Sequence, residues 1–265
     1  MDAKTDGAVI LEISNGVAHL TLNRPRAANS MDLEMAEAIA SAALQCERDL
    51  AVRAVLIRGD GDCFSAGGDL KAFAAKGGDL PAYLREVTAA LHLGISRLAR
   101  GEAPVIAAVH GVAAGAGFSL MCACDIVLAS ESASFLLAYT KIGMVPDGSS
   151  TYFLPRVVGM RRAMEIALLN RKFSAREAHE WGLVTEVVPD AELAARAGDL
   201  AANIAAGPTR SFGATKRLLL GSWEQSLESQ MELESRAIAQ AATTADGQEG
   251  IAAFVQKRRP NYRGE

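Results

Sequence analysis

The sequence predicts an α/β core that extends to about residue 206, followed by a helical C-terminal region over 207–265. Up to that boundary, apolar runs of strand length alternate with segments of helical periodicity, whereas 208–257 has few glycines and a mixed-charge helical pattern. Gly207-Pro208 marks the boundary, because glycine ends helices and proline readily opens them. With 265 residues, 50% of them hydrophobic, the chain can bury a large core.

The N-terminal part of the chain predicts a β-hairpin followed by a helix. Apolar strands over 9–13 and 17–22 flank the turn sequence Ser14-Asn15-Gly16, which is typical of a tight hairpin. Asn29-Ser30 supplies a helix N-cap, and apolar residues at helical spacing continue a helix over about 31–49. The hairpin therefore leads directly into the first α/β unit.

The rest of the chain continues the alternation of short strands and helices. Further strands are predicted at 54–57, 105–109, 125–128 and 183–188, and helices at 81–100, 160–169, 175–181 and 191–205. Strands separated by helices in this way are typical of a mainly parallel sheet.

Charge and hydropathy exclude two classes of partner. The net charge of -4 offers no basic excess for binding nucleic acid. The uncharged run 103–124 is long enough to span a bilayer, but His110 and several glycines interrupt it, and its second half is rich in small residues. This run is better explained as a buried strand that turns into a small-residue helix, so we expect no membrane span.

The N-terminal sequence and the cysteines predict a cytoplasmic protein. Residues 1–6 lack a basic segment followed by an apolar one, so nothing indicates export. The four cysteines have neither the spacing of a disulfide framework nor that of a zinc site, and we expect reduced thiols and no metal.

Two turns rich in glycine and alanine are the first candidates for chemistry. They cover 64–70 and 111–117, and each follows an apolar strand and leads towards a helix. Small residues let a ligand approach the backbone, and free N–H groups at a helix start point outwards. Strand-to-helix turns also need small residues for packing alone. Two such turns in one domain could present paired donors to a single developing oxyanion.

At these turns the chain resembles the crotonase, or enoyl-CoA hydratase/isomerase, superfamily, and the resemblance covers nearly its whole length. The matching segments are Leu22-Asn23-Arg24-Pro25, 64–70, 104–108, 111–117, Cys124-Asp125-Ile126, 156–159, 175–184 and 249–259. The resemblance implies a spiral of ββα units over 1–206 that binds acyl-CoA, and a helical trimerisation region over 207–265. It further implies a homotrimer or a dimer of trimers.

The resemblance also implies which residues hold the substrate. Backbone N–H groups of Gly68 and Ala116 would bind the thioester oxygen. Coenzyme A would enter as part of the substrate, with no separate cofactor. The residues implied along the path of coenzyme A are Arg26, Ala27, Ala66, Asp69, Leu70, Phe254 and Lys257. For Lys257, a solvated helix end is the alternative that charge alone favours.

The two glutamates that the family's hydratases use for acid–base chemistry are absent from this chain. Ser119 stands at the first position and Tyr139 at the second. A neutral hydroxyl is a poor base near neutral pH, so efficient hydration is disfavoured. Tyr139 could orient the substrate or a neighbouring carboxylate, or form a pocket wall. For Ser119, packing of a small residue is the expected role, because no His/Asp pair is spaced to activate it.

Asp147 is the carboxylate that remains near the predicted site. Its Pro146-Asp147-Gly148 sequence is a turn signal, and the side chain could cap the helix beginning near Ser149. Over 111–182, however, the chain closely resembles isomerases of the phenylacetate-degradation type, which carry this Pro-Asp. The resemblance implies that Asp147 moves a proton in an enoyl-CoA isomerase.

His92, in the predicted helix 81–100, leaves a second reaction open. A packed histidine is the default interpretation. The related 4-chlorobenzoyl-CoA dehalogenases, however, have a histidine at the matching position and a nucleophilic aspartate at that of Asp147. Gly68 and Tyr139 replace their aromatic residues in the pocket. Dehalogenase-like hydrolysis and a non-catalytic acyl-CoA-binding protein therefore remain alternatives to isomerisation.

Overall fold

The computed structural model describes residues 7–265, in which short strands and helices alternate along the chain. The strands are β1 Val9–Ser14, β2 Val17–Leu22, β3 Ala54–Gly59, β4 Val105–Val109, β5 Val112–Ala114, β6 Ile126–Ser130, β7 Ser134–Leu136, β8 Phe173–Ser174 and β9 Glu186–Val188. The helices are α1 Leu33–Arg48, α2 Leu70–Ala74, α3 Leu80–Arg100, α4 Gly115–Cys122, α5 Ser150–Leu169, α6 Ala175–Glu180, α7 Leu193–Ala205, α8 Thr209–Gly221, α9 Leu227–Ala242 and α10 Ala245–Val255. Helix α5 is interrupted at Gly159, whose φ is +76°.

The strands form two sheets whose topology is that of a spiral. The larger sheet has the order β1-β2-β3-β4-β6-β9 and is parallel except for the β1–β2 hairpin. The smaller sheet has the order β5-β7-β8. Successive units place one strand in the larger sheet and the next in the smaller sheet, as β4 with β5 and β6 with β7 do. The predicted crotonase-type spiral of ββα units is thereby confirmed.

The larger sheet is buried on both faces, which explains its nearly continuous apolar strands. Side chains alternate along each strand, so Leu56 and Ile106 pack with α7 on one face. Their neighbours Ile57 and Ala107 belong to the main core on the other face, together with Phe64. This packing fixes the carboxyl ends of the parallel strands, where the two glycine-rich turns begin.

Several predicted boundaries are correct and others need correction. The hairpin turn is Asn15-Gly16, with φ of +49° and +80°, as a two-residue hairpin requires. Helix α1 is capped by Asp32, whose side chain accepts the Met35 N–H, and not by Asn29-Ser30. Buried Asn29 instead donates to the carbonyls of Asp60 and Cys63, tying two loops together.

Two further regions can be compared with the predicted boundaries, with one agreement and one difference. The helix expected to begin near Ser149 and the helix predicted over 160–169 are the two halves of α5, which begins at Ser150 and is interrupted at Gly159. Strand β9 begins at Glu186 rather than 183. Before that strand, the backbone of Leu183 and Val184 bonds to the end of α6.

The C-terminal region is helical, as predicted, and its first helix is tied to the core by a buried ion pair. Lys216 on α8 lies 2.6 Å from the Asp125 carboxylate and also donates to the Leu98 and Ala103 carbonyls. The chain end folds back, since the Asp246 carboxylate accepts backbone N–H groups at 263 and 264. The division at 206/207 into an acyl-CoA-binding core and a helical region stays a prediction.

Candidate active site

The first glycine-rich turn is held in place by the loop before α1. Met31 N–H donates to the Gly67 carbonyl, and Asp69 N–H donates to the Met31 carbonyl. Because N–H directions alternate in an extended segment, the intervening Gly68 N–H points away from Met31. Gly67 has a φ of +95°, and a Cβ there would lie 2.9 Å from the Ala114 carbonyl oxygen. Only glycine fits this position.

The second turn leads directly into α4, a helix whose residues are all buried. The chain turns at Gly115, whose φ is +48°. Ala116 follows in the first turn of the helix, where backbone N–H groups lack intrahelical acceptors. Gly117 packs against Ser65 of the first turn, since a Cβ there would lie 2.4 Å from the Ser65 Cβ.

The two turns are in direct contact at Gly67-Gly68 and Gly115, the residues next to or within the peptides that carry the Gly68 and Ala116 N–H groups. A Cβ on Gly115 would be 3.3 Å from the Gly67 Cα and 3.8 Å from the Gly68 nitrogen. Within residues 7–265, neither the Gly68 nor the Ala116 N–H donates to a backbone carbonyl. Paired N–H groups of this kind can bind an oxygen that gains negative charge. The oxyanion-binding role of this pair stays a prediction.

The Asp147 loop packs beside the same helix. A Cβ on Gly148 would lie 2.8 Å from the Ser119 Cβ on α4. Ser119 is three residues after Ala116, so about 4.5 Å of helical rise separates them. The Asp147 carboxylate thus belongs to a loop that touches α4 within one turn of the Ala116 N–H.

A hydroxyl group, not a helix terminus, holds the Asp147 carboxylate. Tyr139 Oη donates to Asp147 Oδ1. Helix α5 has no side-chain cap, and its first residue, Ser150, donates to the Asp147 backbone carbonyl instead. The alternative that Asp147 serves only as a helix cap is therefore not supported.

Two neutral groups complete the surroundings of this carboxylate. Burial, and secondarily the Asp147 charge, raise the pKa of Tyr139, so its hydroxyl stays protonated. His92 Nε2 lies 3.9 Å from Asp147 Oδ2 and accepts the Gly148 N–H at 3.1 Å. Accepting that bond requires an unprotonated Nε2, so this geometry describes a neutral imidazole and not an ion pair.

The residues predicted along the path of coenzyme A have different surroundings. Arg26, Ala66 and Leu70 are exposed on the loops around the first turn, and Ala27 is half-buried. Phe254 and Lys257 are exposed on α10 and just beyond it. The structure describes no contact that assigns a role to these side chains.

Asp69 has a structural environment that the sequence analysis did not anticipate. Burial works against its charge, but hydrogen bonds from the Ala72 N–H and Arg24 lower its pKa overall. Arg24 also pairs with Asp32 at 2.8 Å. The arginine of the Leu-Asn-Arg-Pro motif therefore joins the first turn to the start of α1.

The sequence analysis also missed the hydrogen bonds of Ser119 and the aromatic contact beside Gly68. Ser119, fully buried, bonds to both Tyr139 and the Gly115 carbonyl. The Phe73 ring lies 2.7 Å from where a Gly68 Cβ would stand and packs edge-on against Tyr83. The signal available for Ser119 was its helical spacing from Gly115, which allows an i−4 bond to a carbonyl.

Metal and membrane signatures are also absent from the described part of the chain. Residues 7–265 contain no cluster of three or more histidine, cysteine or acidic side chains placed to hold a metal ion. No helix in the same range combines the length and apolar character needed to cross a membrane.

Comparison with known proteins identifies the family. The family model described as enoyl-CoA hydratase/isomerase matches residues 12–265. A 1,2-epoxyphenylacetyl-CoA isomerase from Escherichia coli K12 is 40% identical over 258 residues, covering 97% of this chain and 98% of the relative. A 4-chlorobenzoyl coenzyme A dehalogenase from Arthrobacter sp. is 34% identical and covers 97% and 94%.

The solved structures agree with the sequence comparisons. An enoyl-CoA hydratase from Polaromonas sp. JS666 superposes with a TM-score of 0.91 at 32% identity, covering 96% of this chain and 99% of that one. Both kinds of comparison span nearly the whole length of each protein. The chain therefore belongs to the enoyl-CoA hydratase/isomerase, or crotonase, family of proteins that process acyl-CoA thioesters.

Proposed function

We propose that this protein is an enoyl-CoA isomerase that shifts a C=C bond through a thioester enolate, with Asp147 carrying the proton. The observation that carries the proposal is the position of the Asp147 carboxylate. It lies on a loop beside α4 and, within residues 7–265, forms no ion pair with a lysine or arginine side chain. That helix begins at Gly115, one residue before Ala116, and its first residue contacts the turn that carries the Gly68 N–H. The 40% identity to a 1,2-epoxyphenylacetyl-CoA isomerase supports the same class of reaction.

The reaction needs one base and one oxyanion site. Asp147 takes a proton from the α-carbon of a 3-enoyl thioester, and the C–H electron pair moves into a dienolate. The negative charge on the thioester oxygen is then held by the Gly68 and Ala116 N–H groups. Asp147 returns its proton to the γ-carbon, so the double bond moves from C3–C4 to C2–C3 and the carboxylate is regenerated.

The size of each contribution is consistent with this division of roles. Each oxyanion donor can stabilise the transition state by about 2.7–4 kcal/mol, as single-donor deletions in other enzymes show. General acid–base catalysis by Asp147 can add roughly 10²–10⁴-fold. The two together give an enzyme that needs no second carboxylate.

Hydration is disfavoured by the groups that occupy the glutamate positions. Tyr139 keeps its proton because burial raises its pKa, and that proton is already donated to Asp147. Ser119 is fully buried and makes bonds within the protein. Neither residue can activate a water molecule as a glutamate would.

We further propose that coenzyme A lies along Arg26, Ala27, Ala66 and Leu70, with Phe254 and Lys257 contacting it from the C-terminal helices. Asp69 would contribute indirectly, because its bond to Arg24 holds the first glycine-rich turn, 64–70, in position for coenzyme A.

Self-association as a homotrimer, or a dimer of trimers, is also part of the proposal. Support comes from large apolar side chains left exposed on the C-terminal helices. These are Leu227, Met231, Ile238, Ile251, Phe254 and Val255.

Dehalogenase-like hydrolysis is the second candidate, favoured by the 34% identity to a 4-chlorobenzoyl coenzyme A dehalogenase and by the nearness of His92 to Asp147. In that reaction Asp147 would attack an aryl carbon and His92 would activate water. The Gly148 N–H, however, occupies the His92 Nε2 lone pair that would serve as base. Full activity of His92→Ala would exclude this reaction.

The deciding experiment compares Asp147→Asn with the unaltered protein on 3-enoyl-CoA, 2-enoyl-CoA and 4-chlorobenzoyl-CoA, with mass spectrometry of the products. We expect isomerisation of the 3-enoyl thioester to fall at least 100-fold in the variant, with thioester binding retained. Asp199→Asn, an exposed site on α7, is the matched control. Undiminished isomerisation by Asp147→Asn would refute the assignment. Binding of every thioester without turnover, in both proteins, would indicate a non-catalytic homologue.

A further inference from the structure

We propose that Tyr139 and Ser119 are positioning residues that couple the Asp147 carboxyl to the Ala116 amide. When Asp147 takes up a proton, this hydrogen-bonded chain strengthens the Ala116 N–H as a donor to the oxyanion. The inference rests on the proposed function, because it assigns a role to two residues of that same site.

The chain of bonds runs without a gap between the two functional groups. Tyr139 Oη donates to Asp147 Oδ1 and lies 3.3 Å from Ser119 Oγ. Ser119 Oγ is 3.2 Å from the Gly115 carbonyl oxygen. That carbonyl and the Ala116 N–H are the two ends of one peptide unit, so a bond at the oxygen acts directly on the N–H.

Counting protons fixes the direction of the bonds while Asp147 is ionised. The phenol has one proton, and the carboxylate is the strongest acceptor it contacts. Tyr139 Oη can then only accept from Ser119. The single Ser119 proton is therefore divided between Tyr139 Oη and the Gly115 carbonyl, which it reaches at 3.3 and 3.2 Å.

Protonation of Asp147 changes this distribution. A neutral carboxyl is a weaker acceptor than a carboxylate, so the phenol becomes free to donate to Ser119 Oγ. The Ser119 proton then goes to the Gly115 carbonyl. A hydrogen bond accepted by a peptide carbonyl polarises the unit, since bonds in a chain strengthen one another. The Ala116 N–H thus becomes a better donor when the thioester oxygen carries the charge.

Burial makes this chain well defined. Ser119 is fully buried, and the Gly148 Cα faces its Cβ, which closes that side to solvent. Water therefore does not compete for the Ser119 hydroxyl. Burial also keeps Tyr139 protonated, because it raises the pKa of the phenol.

The first test is kinetic and uses 3-enoyl-CoA with Ser119→Ala, Tyr139→Phe and the double variant. We expect Ser119→Ala to lower kcat roughly tenfold, the size of one neutral hydrogen bond, with KM unchanged. Tyr139→Phe should lower kcat roughly 10- to 100-fold, because its bond ends on a charged group. In the double variant, adding Ser119→Ala to Tyr139→Phe should still lower kcat roughly tenfold, because without the phenol the Ser119 proton goes to the Gly115 carbonyl in both states of Asp147. Ser130→Ala removes another buried hydroxyl, on β6, and should leave kcat unchanged.

The second test measures polarisation directly, by infrared difference spectroscopy of a bound saturated acyl-CoA labelled with ¹³C at the thioester carbonyl. Asp147→Asn provides a neutral group in place of the protonated carboxyl. We expect this substitution to lower the carbonyl stretching frequency in the otherwise unaltered protein and to lower it less in the Ser119→Ala background. If Ser119 had only a structural role, Asp147→Asn would shift the carbonyl stretching frequency by the same amount with and without the Ser119 hydroxyl.

The outcomes separate this inference from the proposed function. Equal frequency shifts in both backgrounds, or an unchanged kcat in Ser119→Ala, would overturn the coupling, even if Asp147→Asn abolishes isomerisation. Undiminished isomerisation by Asp147→Asn would instead overturn the proposed function, whatever the Ser119 variants show.

Discussion

Asp125 and Asp147 are equally buried, with side chains 24% and 26% exposed, but they differ in the groups that surround them. Asp125 faces a cation at the junction between the core and the C-terminal helices. Asp147 is held by neutral groups on a loop that packs against α4, next to the two glycine-rich turns. Because the exposed fractions of the two side chains are matched, the groups that contact each carboxylate are the difference of interest.

The Asp125 junction has the features of a structural anchor. Its carboxylate contacts Lys216 at 2.6 Å and accepts the Val105 N–H at 2.7 Å. Burial nevertheless raises the pKa of Asp125, and Lys216 offsets only part of this effect. The side chain of Lys216 is only 8% exposed, so each charge depends on the other for stabilisation.

The Asp147 site keeps its carboxylate free of such a partner. Tyr139 donates to Oδ1, whereas Oδ2 lies 3.9 Å from a neutral imidazole. A cation at ion-pair distance would stabilise the carboxylate and weaken it as a base. The comparison indicates that the kind of partner, more than the depth of burial, separates a structural aspartate from one that can carry a proton.

The largest effect that we predict is on stability and comes from Lys216→Met. Removing one partner of a buried ion pair costs about 3–5 kcal/mol, because the remaining charge is left uncompensated. We expect urea denaturation to show a loss of this size in the free energy of unfolding. The kcat of the folded protein on 3-enoyl-CoA should stay unchanged, because Lys216 contacts no residue of the proposed site.

The loss of stability in Lys216→Met should also depend on pH. Without the lysine, burial alone raises the pKa of Asp125 in the folded state. The folded variant then binds a proton more readily than the unfolded chain does, so its deficit should be smaller at mildly acidic than at mildly alkaline pH. A deficit independent of pH would show that packing of the lysine, not pairing of charges, stabilises this junction.

Much of the fold could be predicted from sequence, because its determinants are local. The strands at 17–22 and 105–109 appear with the predicted bounds, since short apolar runs between turns specify them. The identity of the residue that caps α1 could not be predicted in the same way. Asp32 caps α1, whereas Asn29 bonds to carbonyls of a distant loop, and these tertiary bonds have no local sequence signal.

The candidate site likewise has one part that local sequence indicates and another that depends on tertiary contacts. The backbone donors that we propose at Gly68 and Ala116 lie in two turns that glycine and alanine composition indicates in the sequence. The bonds that join Ser119, Tyr139 and Asp147 link α4 to the segments that follow β7, and no spacing rule for a single element includes them. Sequence thus shows which chemistry is available, whereas tertiary contacts decide how the groups are connected.

An intermediate effect is expected from Gly148→Ala, which tests whether close packing on α4 positions Asp147. Gly148 has a φ of +60°, and its Cβ would lie 2.8 Å from the Ser119 Cβ. We expect kcat to fall roughly tenfold or more, because small misplacements of catalytic groups are costly. The left-handed backbone adds about 1–2 kcal/mol of strain.

Gly143→Ala is the matched control for this substitution. Gly143 has a similar φ of +74°, but nothing lies within 4 Å of its Cβ position. The two variants should lose comparable stability from backbone strain, whereas only Gly148→Ala should lose kcat. Equal kcat values would mean that contact between the Asp147 loop and α4 is not needed for turnover.

The smallest effect is expected for the stability of Asp147→Asn, and it tests the comparison most directly. An asparagine can still form a hydrogen bond with the Tyr139 hydroxyl, so the substitution exchanges a hydrogen bond with a charged group for one with a neutral group. The difference between such bonds is about 1 kcal/mol, and no buried cation is left without a partner. Asp125→Asn, the equally exposed counterpart, leaves Lys216 buried beside a neutral amide and should cost clearly more. Parallel urea titrations of the two variants at one pH measure both changes. If Asp147→Asn lost as much stability as Asp125→Asn, Asp147 would be an anchor of the fold, and the contrast between the two sites would disappear.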